Sequence, residues 1–139
     1  MIRELLTEVD AILTADDDPP LTAVVESGDR ELVRRWLSHK FDQWATVGPY
    51  LLVAHQAEAS EPEVAATISS WFDGTIAAIA SGLDNADRFD PASRWMRSAL
   101  AFGQFEFVSR RWFTKGWEVD RDVCLQTLTD SWCHLLAQQ

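Results

Sequence analysis

Helix stops recur along this chain, and between them apolar residues fall at helical rather than alternating spacing. The stops are "DDDPP" at 16–20, "SGD" at 27–29, Gly48–Pro49, Ser60 with Glu63 at capping-box spacing, Asp90–Pro91 and Asp120. They predict about seven helices, over 2–15, 19–27, 29–47, 49–58, 61–83, 91–115 and 121–137. No stretch carries the period-two pattern of a half-buried strand. The expectation is an all-α fold in a single domain covering residues 1–139, without internal repeat or linker. A chain of this length buries roughly 70% of its unfolded surface, enough for one core.

Charge and composition narrow the functional classes. The formal net charge is -10. Residues 1–31 hold nine acidic and two basic side chains, whereas 94–121 hold six basic and three acidic. An acidic chain makes poor contact with phosphate backbones, so these residues are not expected to bind nucleic acid by themselves. No run approaches the ~18–20 apolar residues of a membrane span, and the N-terminus lacks the order of a signal peptide. The expected location is the cytoplasm. Cys124 and Cys133 sit nine residues apart on one helix, too far for a bridge, and read as small apolar fillers.

Side chains placed at about 100° per residue show which faces turn inward. On the first helix the stripe is Leu5, Leu6, Val9, Ile12 and Leu13. On the third it is Val33, Trp36, Leu37, Phe41, Trp44 and Val47, with Lys40 in its middle. On the fifth it is Val64, Ile68, Trp71, Phe72, Ile76, Ile79 and Leu83, with Thr75 inside it. The opposite side of that helix, Ala66, Ser70, Gly74, Ala77 and Ser81, is small enough for close helix approach.

The stretch "ALAFGQFEFVSRRWF", residues 99–113, is apolar nearly all round. Trp95, Ala99, Phe102 and Phe113 share one side with Glu106; Met96, Leu100, Gly103 and Phe107 share a second; Phe105, Val108 and Trp112 form a third. Only Arg97, Gln104 and Arg111 make a polar strip. Such a helix has to be covered on most sides, by its own core and by a second subunit. The last helix, with Cys124, Leu125, Leu128, Trp132, Leu135 and Leu136, adds a broad stripe suited to a four-helix bundle across a two-fold axis. The expected interface residues are Phe105, Phe107, Trp112, Leu128, Trp132 and Leu135.

This arrangement resembles the C-terminal regulatory domain of the TetR family of transcriptional repressors. The resemblance rests on the helix order, on "IRELL" at 2–6, and on "RWMRSALAFGQFEFVSRRWFTKGWEVDRDVCLQTLTDSWCHLL" at 94–136. It implies a homodimer whose last two long helices form the bundle, and a pocket for a small effector enclosed by the preceding helices. The family's basic helix-turn-helix headpiece has no counterpart here, so DNA would be reached only through that absent segment. The chain is therefore expected to be either a regulatory domain separated from a longer repressor or a relative that lacks the headpiece.

Candidate site residues follow from the stripes and the resemblance together. Trp36, Phe41, Trp44, Trp71, Phe72 and Phe102 make either a plain aromatic core or the lining of a pocket for an apolar or aromatic molecule. Lys40, Glu106 and Thr75 are the polar groups among them. Lys40 can snorkel to solvent; Glu106, being shorter, needs a ligand, an ion pair or a dimer contact. A meeting of Lys40 with Glu106 across the pocket would satisfy both. His39, His55 and His134 lack the carboxylate and Cys/His company of metal sites, so no metal or cofactor is expected. No nucleophile triad or phosphate loop appears. The reading is a non-enzymatic sensor; the competing class is a small dimeric helical enzyme or carrier using the same aromatic cavity.

Overall fold

The computed structural model describes residues 2–14 and 17–138. Among them are six helices and no strand: α1 (Ile2–Thr14), α2 (Leu21–Ser27), α3 (Arg30–Glu58), α4 (Pro62–Asn85), α5 (Pro91–Lys115) and α6 (Arg121–Leu136). The all-α expectation holds. The count of seven does not, because the two helices expected on either side of Gly48–Pro49 are one. Pro49 lies inside α3, where it removes one backbone donor without ending the helix. Gly48 is there for room rather than as a stop. A Cβ on it would stand 3.2 Å from the Trp112 ring and 3.4 Å from that of Phe113.

Local signals set most of the other boundaries. Asp29 accepts from the backbone of Glu31 and Leu32 at the start of α3, and Asp90 from Ala92 ahead of Pro91 at the start of α5. Gly28, at φ 63°, closes α2 in the left-handed conformation open to a residue without Cβ. Two expected caps fall elsewhere. After the "DDDPP" break, where Asp18 with Pro19 is the capping pair the sequence suggests, the N-cap of α2 is Pro20, and Glu61 precedes α4, whose first turn is set by Pro62 rather than by a Ser60–Glu63 box.

The helices pack about α3, which touches all five others. α2 lies on α4, α4 on α5, α5 on α6 and α6 on α3, while α1 lies along α3. Among the glycines the closest approach is at Gly82 of α4, where a Cβ would come within 2.7 Å of the Thr22 carbonyl oxygen and of Val25 Cβ. The small face expected to permit close packing, Ala66 to Ser81, does not do so: Gly74 has open space around it, and Ala66, Ser70, Ala77 and Ser81 are exposed.

Two hydrophobic clusters result. The larger joins α2, α3, α4, α5 and α6 through Val25, Val33, Leu37, Trp44, Ile79, Leu83, Ala101, Phe102, Leu125 and Trp132; the smaller joins Leu6, Ala54, Val64 and Ile68. Phe72 packs against both. Leu6 and Val9 of the first helix's stripe are buried. Leu5 and Leu13 of that stripe lie outside the described side chains.

Arginines tie the loops to this frame. Arg88 donates from Nη1 to the carbonyls of Val25 and Leu136 and from Nη2 to that of Glu26, closing the ends of α2 and α6 together. Arg94, buried, bonds Asp84, Asp87 and the carbonyls of Arg88 and Phe89, holding the turn in which Asp87 and Phe89 have positive φ.

Candidate functional site

A cavity of about 490 Å³ opens between the two hydrophobic clusters, with mostly apolar walls. α3 contributes Trp36, Lys40 and Trp44 from its first half and Leu51 and His55 from its second. α4 contributes Ile68, Trp71, Phe72 and Thr75; α5 contributes Phe102, Phe105, Glu106 and Phe113. Asp10 and the 17–22 segment close the remaining side. Of the nine ligand-binding candidates, eight stand on this wall: Trp36, Lys40, Trp44, Trp71, Phe72, Thr75, Phe102 and Glu106. Phe41 does not. It is buried against Trp44 and Trp117, with ring centroids 4.6 and 5.2 Å away.

The rings form a connected set. Trp36 stacks on Trp132 at 5.6 Å and meets Phe105 at 5.9 Å; Trp44 meets Phe105 at 5.6 Å; Phe72 meets Phe102 at 5.0 Å. Contacts in this range are favourable for offset and tilted aromatic pairs. Trp44 also stacks at 5.8 Å on Trp117 of the loop after α5. That loop is held by a two-pronged pair of Arg111 Nε and Nη2 with Glu118, at 2.6 and 2.7 Å, which keeps the Glu118 carboxyl below the usual carboxylate range.

The polar groups of the wall have definite partners. Lys40 is 5% exposed and does not reach solvent. Its Nζ donates to Asp17 Oδ1 at 2.6 Å and stands 5.1 Å from the centre of the Trp36 ring. Glu106, its side chain 20% exposed, accepts from Arg110 one turn along α5. The two groups imagined as meeting across the pocket are thus each paired elsewhere. Thr75 Oγ1 donates to the Trp71 carbonyl at 2.9 Å, and its oxygen remains able to accept. His55 Nδ1 lies 3.7 Å from Glu58 Oε2, beyond hydrogen-bond distance, and neither atom has a hydrogen-bond partner among the described residues. The Trp36 indole N–H is likewise buried and unsatisfied there. Such a group ordinarily costs about 1–3 kcal/mol.

Sequence patterns missed part of this wall. Asp17 sits next to helix-breaking residues and was visible only as a stop; its pairing with Lys40 spans a tertiary distance. Leu51 and His55 lie past Gly48–Pro49, and treating that dipeptide as a terminus removed them from the face carrying Trp44. No group of three or more His, Cys, Asp or Glu side chains among the described residues is placed to hold a metal ion.

The expected dimer contacts need correction. Trp132 is 1% exposed and donates from Nε1 to the Ala101 carbonyl at 2.9 Å, and Leu128 is buried as well. Neither has surface left for a partner. Phe105 is a cavity residue and Trp112 packs on Trp44, Phe113 and Trp117; Leu135 is half-buried against the larger cluster. Only Phe107, 61% exposed, faces outward. Trp95, on the side that carries Phe102 and Glu106, is exposed too. The exposed face of α5 is instead Met96, Leu100, Gly103 and Phe107, spaced to lie in one line.

Beyond this geometry the chain stands apart: no protein family, curated protein or solved structure matches it. No helix among the described residues is long and apolar enough to cross a membrane. What fold and cavity define is a small helical protein with an aromatic-lined pocket that opens to solvent.

Proposed function

We propose that the chain is a ligand-sensing regulatory domain of the TetR kind, which binds an apolar or aromatic small molecule in the α3–α4–α5 cavity and pairs with a second copy through the outer face of α5. The observation that carries the reading is the cavity itself. Aromatic rings from three helices line a space of ligand size with a few polar groups, the usual make-up of a small-molecule site. The dimer part is supported by the line of Met96, Leu100, Gly103 and Phe107 on the outside of α5, a continuous apolar strip of the kind that is normally covered.

The test is a titration of intrinsic tryptophan fluorescence with a panel of aromatic compounds. Saturable quenching that Trp44→Ala weakens supports the reading; absence of saturable quenching across the panel overturns it. Sedimentation reads the dimer in the same samples. A two-chain species that Leu100→Glu converts to single chains is expected, and a wild-type monomer at micromolar concentration refutes the pairing.

A further inference from the structure

A second hollow, of about 360 Å³, lies between the first half of α3 and the turn ahead of α2. Arg35, Ser38, His39 and Asp42 line it from one face of α3, at i, i+3, i+4 and i+7, with Arg34 beside them. Asp17 and Asp18 come from the turn, and Pro19 and Leu32 add apolar wall. In a chain with 22 acidic and 12 basic side chains, cations are scarce and most are committed. Arg30, Lys40, Arg94, Arg110, Arg111 and Arg121 are in ion pairs, while Arg88 and Arg97 donate to backbone carbonyls. Arg34 and Arg35 differ: neither has an ion pair or hydrogen bond among the described residues.

The carboxylates of the hollow do not answer them. Asp17 is held by Lys40 at 2.6 Å and Asp42 by Arg121 at 2.6 Å, which leaves Asp18 against two guanidinium groups and the His39 ring. The tautomer of that ring follows from its neighbour. Gln43 Nε2 donates to the Ile12 carbonyl at 3.1 Å and stands 3.3 Å from His39 Nε2. An amide nitrogen only donates, so His39 Nε2 accepts and the neutral ring carries its proton on Nδ1, ready to donate elsewhere. We infer that this hollow is a second binding site, for a small metabolite bearing a doubly charged oxyanion, either a phosphate monoester or a dicarboxylate. The guanidinium forks of Arg34 and Arg35 match both groups, His39 Nδ1 adds a donor, and Pro19 and Leu32 receive the carbon skeleton. Both arginines are exposed, so the affinity is modest and salt lowers it. The site is independent of whatever fills the aromatic cavity.

Calorimetry with glycerol 3-phosphate, succinate and glycerol tests it, since none of the three carries a ring for the aromatic cavity. At least one anion is expected to bind with a millimolar or tighter Kd, and glycerol not at all; the tighter anion tells phosphate monoester from dicarboxylate. Arg34→Gln and Arg35→Gln should each weaken that anion about tenfold, the loss of one charge-assisted contact. Lys115→Gln removes the same charge from an exposed position outside the hollow and should change the affinity by less than about twofold. Helical circular dichroism checks that all three variants keep their fold. Absence of anion binding at millimolar concentration overturns the inference. Equal losses in Arg35→Gln and Lys115→Gln overturn it as well, by revealing a diffuse response to net charge. Binding that neither arginine variant weakens puts the anion elsewhere and has the same consequence.

Discussion

Replacing Gly82 by alanine probes a tight contact between α2 and α4. The added methyl would meet the Thr22 carbonyl oxygen and Val25 Cβ at 2.7 Å and Val25 Cγ1 at 2.9 Å. None of these atoms is the free end of a flexible chain, so α2 and α4 must part by about 0.7 Å to recover ordinary contact. Overpacking of this sort costs about 1–3 kcal/mol. Parting the helices also stretches the bond from Thr22 Oγ1 to the Ala78 carbonyl, now 2.8 Å, worth about 1 kcal/mol. Against this stands the helix-propensity gain of alanine over glycine, about 1 kcal/mol. The net expectation is a loss of about 2 kcal/mol. Gly74, on the same helix, is the internal control, because no atom lies within 4 Å of its added Cβ. Gly74→Ala should therefore gain about 0.5–1 kcal/mol from propensity alone. With a urea m-value of about 2 kcal/mol/M, the unfolding midpoint should fall by about 1 M for Gly82→Ala and rise by about 0.3 M or more for Gly74→Ala. Both are measured at one protein concentration, so that any association cancels. A Gly82→Ala midpoint equal to or above wild type, with m unchanged, would refute the packing argument.

Arg88→Met should cost about 2–3 kcal/mol by leaving the carbonyls of Val25, Glu26 and Leu136 without their charged donor. Hydrogen exchange should then rise at the C-terminal ends of α2 and α6 together; acceleration at one end alone contradicts a shared cap. Burial raises the thiol pKa of both Cys124 and Cys133 above its ordinary value near 9. The native thiols should react with a disulfide reagent far more slowly at pH 8 than those of urea-unfolded chains. Because the folded state holds the proton more tightly, this contribution to stability is complete below the free-thiol pKa and is lost as pH rises through the folded one. Rapid stoichiometric labelling of native protein at pH 8 would refute it.

Helix positions and their buried stripes were open to reading because they depend on neighbours in sequence. Val33, Trp36, Leu37, Phe41, Trp44 and Val47 are all buried, on the face that their spacing defines. Lys40 is in that face too, and its burial could be read but its partner could not, since Asp17 comes from a distant turn. Gly48–Pro49 misled because the same dipeptide that ends many helices here makes room for Trp112 and Phe113. α5 misled differently. In its polar strip Arg97 donates to the Leu135 carbonyl of α6, and Gln104, though exposed, accepts from the Ser131 hydroxyl. With those positions spent on α6, the apolar sector of Met96, Leu100 and Phe107 is left outside. Angles along one helix rank its faces; they do not say which neighbour each face will meet.

The division of the interior into two clusters has a consequence for how the protein responds to its surroundings. Leu6, Ala54, Val64 and Ile68 are held apart from the main body by the very space that Trp36, Trp71 and Phe102 overlook, with Phe72 as the bridge. An occupant would act as a removable piece of core, joining two lobes that the polypeptide leaves incompletely fused. Occupancy and mechanical cohesion then become one variable. At a ligand concentration a hundred times its Kd, the native state would gain about 2.7 kcal/mol, with the gain felt along the seam where α1, the second half of α3 and the start of α4 meet the rest.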